Sequence, residues 1–272
     1  MTVTSPPPGT RHRTPVVLLH ALSLHASMWD AQVRALRTRG HPVLAVDQRG
    51  FGRAPLGDRP PSLDVIADDL ARTLDEHGMD RVVLAGSSMG GYAAMAFLRR
   101  FPGRVAGLAL LSARATADAP EAAAQRHRFA ELVQDPDHRP ALVERATPLL
   151  LADTTRADRP ELLARVLADA HAADPAALAW AQRAIAARPD STGVLRAARM
   201  PALVIAGARD ALVAPPEARH IADALPQGRL VTLAGAGHLQ PLEAPDEVTH
   251  ALGGLLDEVD ATAGVGSGVP AC

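Results

Sequence analysis

Six short apolar runs recur along this chain, and they set the fold class. They are "PVVLLH" at 15–20, "PVLAVD" at 42–47, "RVVLAG" at 81–86, "VAGLALLS" at 105–112, "ALVIAG" at 202–207 and "RLVTLAG" at 229–235. Each has strand length and lacks polar alternation, the pattern of strands in a parallel sheet covered on both faces. Helical patterns lie between them. Over 62–77, Leu63, Ile66, Leu70 and Leu74 fall on one stripe. Ser62 stands where it can cap that helix, and Asp64 sits in the first turn, where the helix dipole favours an acid. Over 245–259, Val248, Leu252, Leu255 and Val259 repeat the stripe. Alternating strands and helices predict an α/β protein with a mostly parallel central sheet of about six strands and right-handed crossovers.

One stretch breaks the alternation. Residues 115–198 hold no strand-like run and read as four short helices, roughly 119–134, 139–151, 159–172 and 176–188, parted by Pro or Asp-Pro. The insert leaves and re-enters at strand ends, where open α/β sheets hold their ligands, so it reads as a cap over a site. A purely structural helical domain is the alternative. The expected organisation is a flexible segment 1–14, a core of 15–114 and 199–258, a cap of 115–198 and a disordered Gly-rich tail 259–272. Within the cap, Trp180 shares its stripe with Ala177, Ala181 and Ala184, and is either a packing wedge or a pocket wall.

Composition narrows the partners. Of 272 residues, 47% are hydrophobic, enough for a large core without metal or disulfide staples. The formal charge is −2 with no basic tract, which argues against nucleic acid. The only cysteine is Cys272, so no disulfide framework or CxxC metal site is expected, and a cytoplasmic setting fits. No apolar run nears the ~18 residues of a membrane span, and the N-terminal stretch lacks the apolar centre of a signal peptide, so no membrane partner is expected.

Residues 86–90, Gly86-Ser87-Ser88-Met89-Gly90, spell G-x-S-x-G between a strand-like run and the helix-like "MGGYAAMAFL". A sharp strand-to-helix turn there strains the serine backbone and lifts its hydroxyl above the sheet edge. The register selects Ser88. For Ser87 to be the centre, positions 85 and 89 would have to be glycine, and they are Ala85 and Met89. A Ser/Gly turn that merely starts a helix is the plain alternative.

A serine hydroxyl needs a base to attack at neutral pH. His238, in the loop "GAGHLQPLE" after the last strand, reaches the same sheet edge, whereas most other histidines lie in charged helical contexts. Asp210, directly after the strand 202–207, can orient it, and the order Ser, Asp, His suits this class of sheet. Asp47 is the competing acid and reads instead as a brace for the loop "DQRGFGRAP". A developing oxyanion needs two N–H donors, here assigned to the backbone of Met89 and of Leu22. His20 reads as a structural histidine holding that first loop, and His25 is a candidate for the pocket wall.

With these motifs in their order, "LLHALSLHASMW", "VDQRGFGRAP", "LAGSSMGGYAAMAFLRRFPGRVAGLALL", "PALVIAGARDALVAP" and "GAGHLQPLEAPDEV", the chain resembles the α/β-hydrolase family, in its small, cap-bearing, esterase-like branch, over residues 15 to about 258. The resemblance implies Ser88 as nucleophile, Asp210 and His238 as its triad partners, and Leu22 and Met89 as oxyanion donors, with no cofactor and no metal. It departs from the family at Ala21, where glycine is usual after the histidine, and at Ala54, where serine is usual. Few residues precede the first core strand, so the antiparallel hairpin of larger members is not expected.

The expected activity is hydrolysis of a mainly apolar small-molecule ester, lactone or thioester through an acyl-enzyme. The same triad could instead act as a base for a lyase, C–C bond hydrolysis, acyl transfer or perhydrolysis. A ligand receptor with vestigial hydrolase activity is the reading from another class.

Overall fold

The computed structural model describes residues 13–265, with side chains through 262. In chain order the first half runs β1 (Val16–Leu19), α1 (Asp30–Thr38), β2 (Val43–Val46), α2 (Leu63–Glu76), β3 (Val82–Ser87), α3 (Met89–Arg100) and β4 (Val105–Leu111). Six helices follow without a strand: α4 (Pro120–Leu132), α5 (Arg139–Ala146), α6 (Asp153–Asp158), α7 (Pro160–Ala172), α8 (Pro175–Ala186) and α9 (Thr192–Ala197). The chain then returns to the sheet through β5 (Ala202–Gly207), α10 (Pro215–Ala224), β6 (Gly228–Leu233), α11 (Gln240–Glu243) and α12 (Pro245–Val265).

All six strands are parallel, in the order β2-β1-β3-β4-β5-β6. The four inner strands are buried along their whole length, which is why their sequences carry no polar alternation. Only the edge strands β2 and β6 are partly exposed. Alternate strand residues feed two cores. Val17, Leu19, Leu84, Leu108 and Val204 pack with α2, α3 and α10, while Val16, Leu18, Val83, Ala109 and Ile205 pack with α1 and α12. Helix α2 begins as its sequence predicts, with the Ser62 hydroxyl accepting the Asp64 N–H at 3.1 Å.

The helical stretch between β4 and β5 is more broken than four helices. Pro148 starts a separate 3-10 turn, Thr147–Leu150, because it has no N–H to continue α5. Helix α9 has no counterpart among the four expected segments. Its start is marked by Asp190, whose carboxylate accepts the Thr192 N–H at 2.7 Å, but Gly193 hides the helical pattern. Glu243 of α11 ties this stretch to the core. Its carboxylate accepts the Ala152 N–H and the Thr155 hydroxyl, both at 2.8 Å, and the Leu239 N–H at 3.1 Å.

The two ends also differ from the flexible segment and disordered tail expected. Helix α12 continues past 259 to Val265. Val259 is buried, and the Asp260 carboxylate accepts the Thr14 N–H at 3.0 Å, the Thr14 hydroxyl at 2.6 Å and an Arg13 N–H at 3.2 Å. Partners so far apart in sequence are invisible to a local reading. The rest of the expected segments, 1–12 and 266–272, lies outside the described residues. Among the described residues, no helix is long and apolar enough to cross a membrane.

Trp180 is a wedge. It is buried with Ala177, Ala181 and Ala184 in the core shared with α2 and α3, and its indole N–H donates to the Arg59 carbonyl at 2.8 Å. Trp180→Ala should therefore lower stability by ~3–5 kcal/mol. Denaturant unfolding measures this, and a loss below about 1 kcal/mol would contradict the packing role.

Candidate active site

The turn after β3 carries Ser88 at φ 53° and ψ −112°. A non-glycine residue held there costs on the order of 1–3 kcal/mol. Packing imposes the turn. A Cβ at Gly86 would lie 2.2 Å from the Gly90 carbonyl oxygen, and one at Gly90 would lie 2.3 Å from that of Leu19. Without those side chains, α3 presses directly onto β1 and β3. The Ser88 N–H is pinned to the Leu111 carbonyl at 2.8 Å. Ser88 is half-buried and lines a cavity of about 440 Å3. Ser87 is fully buried, and its hydroxyl has no hydrogen-bond partner among the described residues.

His238 follows β6 and lines the same cavity. Its Nδ1 lies 3.0 Å from Asp210 Oδ2 and 3.1 Å from Oδ1. Asp210 follows β5, and its carboxylate is saturated with donors. Oδ1 accepts the N–H groups of Leu212 and Val213 at 2.8 and 3.0 Å, and Oδ2 accepts the Ser112 hydroxyl at 2.7 Å. Burial opposes ionisation of this carboxyl. The hydrogen bond and charge of His238, joined by the Ser112 hydroxyl and the Val213 N–H, outweigh burial and hold it below the usual carboxylate range. With Nδ1–H given to the carboxylate, Nε2 of His238 is left as an acceptor.

Two further members of this network were not anticipated from sequence. Ser112 directly follows β4 at φ 47°. Its hydroxyl accepts a hydrogen bond from Gln240 Nε2 at 2.5 Å, and Gln240, fully buried, also donates to the Gly237 carbonyl at 2.8 Å. Only the strand order, which sets β4 beside β5, brings Ser112 to Asp210.

Leu22 lines the cavity, and its N–H has no acceptor among the described residues. Met89 is the first residue of α3, where an N–H has no intrahelical acceptor. Ala21, the departure from the usual glycine, is buried, and its N–H points to the Met28 sulfur at 3.2 Å. Asp47 accepts the N–H groups of Ala26 and Arg53, bracing two loops away from the cavity. His25 does not line the cavity either, because its Nε2 faces Asp169 of α7 at 3.5 Å. Among the described residues, no cluster of three or more His, Cys, Asp or Glu is arranged to hold a metal ion.

A family model described as "alpha/beta hydrolase fold" matches residues 14–245. The chain belongs to the α/β-hydrolase family. Within it, a pimeloyl-[acyl-carrier protein] methyl ester esterase from Aromatoleum aromaticum is 31% identical over 246 residues, covering 87% of this chain and 95% of that protein. The structure is similar to that of a thermophilic esterase from Thermogutta terrifontis, solved with malate bound, at 37% identity and a TM-score of 0.86, over 91% of this chain and 90% of that one. It is also similar to an enol-lactonase from Burkholderia xenovorans LB400, at 28% identity and a TM-score of 0.82, over 92% and 94% of the two chains.

His20 of this α/β-hydrolase is fully buried beneath the first loop. Its Nδ1–H donates to the Ala21 carbonyl at 2.9 Å, and its Nε2 accepts the Gln48 N–H at 2.9 Å. Burial lowers its pKa to about 4, against smaller opposing effects of the Ala21 carbonyl and Asp47. An unfolded histidine takes up its proton near 6.5. Stability that is intact above pH 6.5 is therefore lost as pH falls from 6.5 to about 4. The loss amounts to ~3 kcal/mol across that window. His20→Asn should flatten this part of the stability profile in urea unfolding at stepped pH. Equal slopes for the two proteins would rule out a buried neutral His20.

Proposed function

We propose that this protein is a serine hydrolase that cleaves a carboxylic ester, lactone or thioester through an acyl-enzyme. The observation that carries the reading is the buried His238–Asp210 pair, facing the same cavity as a serine held at a strained strand-to-helix turn. The relatives named as esterases and an enol-lactonase support the ester and lactone classes.

In the proposed reaction His238 Nε2 takes the Ser88 proton as Oγ attacks the acyl carbon. The carbonyl π electrons move to oxygen, and that oxyanion accepts hydrogen bonds from the N–H groups of Leu22 and Met89. The intermediate collapses, the bond to the leaving oxygen or sulfur breaks, and His238 returns the proton to the leaving group. Water then attacks the acyl-enzyme with His238 again as base, and Ser88 is released. Asp210 holds the tautomer and stabilises the imidazolium. Ser112 and Gln240 position Asp210. No proposed step calls on a cofactor.

The helices between β4 and β5 act as the cap in this reading. Phe129 of α4 and Leu178 and Ile185 of α8 line the cavity and would contact the substrate's apolar part. Trp180 of α8 does not line it, so the wedge and the cavity wall occupy different faces of one helix.

Ser88→Ala should abolish turnover of p-nitrophenyl esters, whereas Ser87→Ala should retain most of it. A fluorophosphonate probe should label Ser88 alone. His238→Ala should cost about as much as Ser88→Ala, because the two act as a unit. Asp210→Asn should cost no more than either. Normal turnover by Ser88→Ala, or damage from Asp47→Asn with Asp210→Asn silent, would remove the assignment.

A further inference from the structure

The cavity shared by Ser88 and His238 has guanidiniums in its wall and no carboxylate among its described lining residues. Arg114, just after β4, and Arg126, on α4, both line it, and among the described residues no Asp or Glu does. Arg126 is fixed in place by Asp118, with Nε 2.6 Å from Oδ2, and by Gln182, whose Oε1 accepts from Nη1 at 3.0 Å. Asp118 also serves a second guanidinium. Arg188 Nη2 donates to its Oδ1 at 2.7 Å, and Arg188 lies 4.3 Å above the ring of Tyr92, itself a cavity residue. One buried carboxylate therefore balances two buried or half-buried cations.

Arg114 is still less balanced. Its Nη2 donates to the Leu212 carbonyl at 2.6 Å. Its one carboxylate within 4.0 Å among the described residues is Glu217, at 3.9 Å from Nε. That Nε is buried and has no hydrogen-bond partner. Arg114 and Arg126 thus bring guanidiniums to the wall of a mainly apolar cavity, while the carboxylates of Asp118, Glu217 and Asp210 stand outside the lining. Unpaired charge in such a place is costly, and a lining of one sign draws in ligands of the other. The planar fork of a guanidinium matches a carboxylate.

We propose that the substrate's acyl chain ends in a carboxylate, separate from the acyl group under attack, and that Arg114 and Arg126 receive it in this cavity. The inference rests on the serine-hydrolase reading above. The acyl chain stays on Ser88 through both chemical steps, so a group that anchors its far end assists attack and deacylation alike. Phe129, Leu178 and Ile185 contact the methylenes between the two carbonyl ends. The substrate class is a half-ester, carboxylated lactone or half-thioester of a short dicarboxylic acid.

The test compares monomethyl with dimethyl esters of succinate, glutarate and adipate, with methanol release as the readout. For at least one chain length kcat/KM should favour the half-ester by about tenfold or more. Arg114→Gln should lower the half-ester to diester ratio by about tenfold, and Arg114→Lys, which keeps the charge, should recover part of it. A wild-type preference for diesters at every length, or a ratio unmoved by Arg114→Gln, overturns the proposal. A second measurement separates this from the hydrolase reading. Monomethyl adipate should raise the melting temperature of Ser88→Ala, dimethyl adipate should not, and the shift should vanish when Arg114→Gln is added. If no ester is turned over and a fluorophosphonate leaves Ser88 unlabelled, the hydrolase reading falls, and the melting shifts still decide whether the cavity takes a carboxylate.

Discussion

The close approach of α3 to the sheet is the contact on which this structure depends. At Gly86 and Gly90 there is no room for even a methyl group between helix, turn and strand. That contact bends the chain abruptly after β3 and leaves Ser88 at a positive φ. The strain is local and is sustained by buried packing on both sides, with β3 and nearly all of α3 buried. The same turn places the first N–H groups of α3 at the sheet edge, beside the serine. A hydroxyl and unused backbone donors thus arise from one packing event.

The second organising feature is a buried polar network that spans three strand ends. Asp210 follows β5, Ser112 follows β4, and His238 and Gln240 follow β6. Buried polar groups are tolerated when their partners are in place, and every lone-pair direction used by the Asp210 carboxylate has a donor. Gln240 links two of the loops by holding Ser112 and the Gly237 carbonyl together. The network therefore holds the imidazole with groups drawn from three separate connections.

The helical stretch between β4 and β5 joins these two features to a cavity. Glu243 stands five residues beyond His238 and binds the start of α6, so the histidine loop and the helical stretch share an anchor. On α8, the two faces divide their work. Trp180 and the small residues on its stripe lock the helix to the core, while Leu178, Gln182 and Ile185 border the cavity. Arg114 and Arg126 add two guanidiniums to an otherwise mostly apolar lining.

The sequence by itself determined the sheet and its class, because apolar runs without polar alternation suit strands covered on both faces, as the four inner strands are, and the periodic stripes between them suit covering helices. It also singled out Ser88 over Ser87, since the glycine register is a local steric requirement. His238 and Asp210 were readable as residues in loops at strand ends, which is again local information. Tertiary structure alone decided the rest. Ser112 and Gln240 have no sequence mark, because their role depends on β4 lying next to β5. The ends of the fold, tied through Thr14 and Asp260, depend on a contact between opposite ends of the chain. The helical stretch resisted a residue-level reading, since Leu, Ala and Arg make helices wherever they stand, and only packing chose which face met the core. The charge of the cavity was equally hidden. An arginine in a sequence carries the same letter whether its partner is a carboxylate, a carbonyl or nothing, and the balance appears only when the side chains are brought together in space.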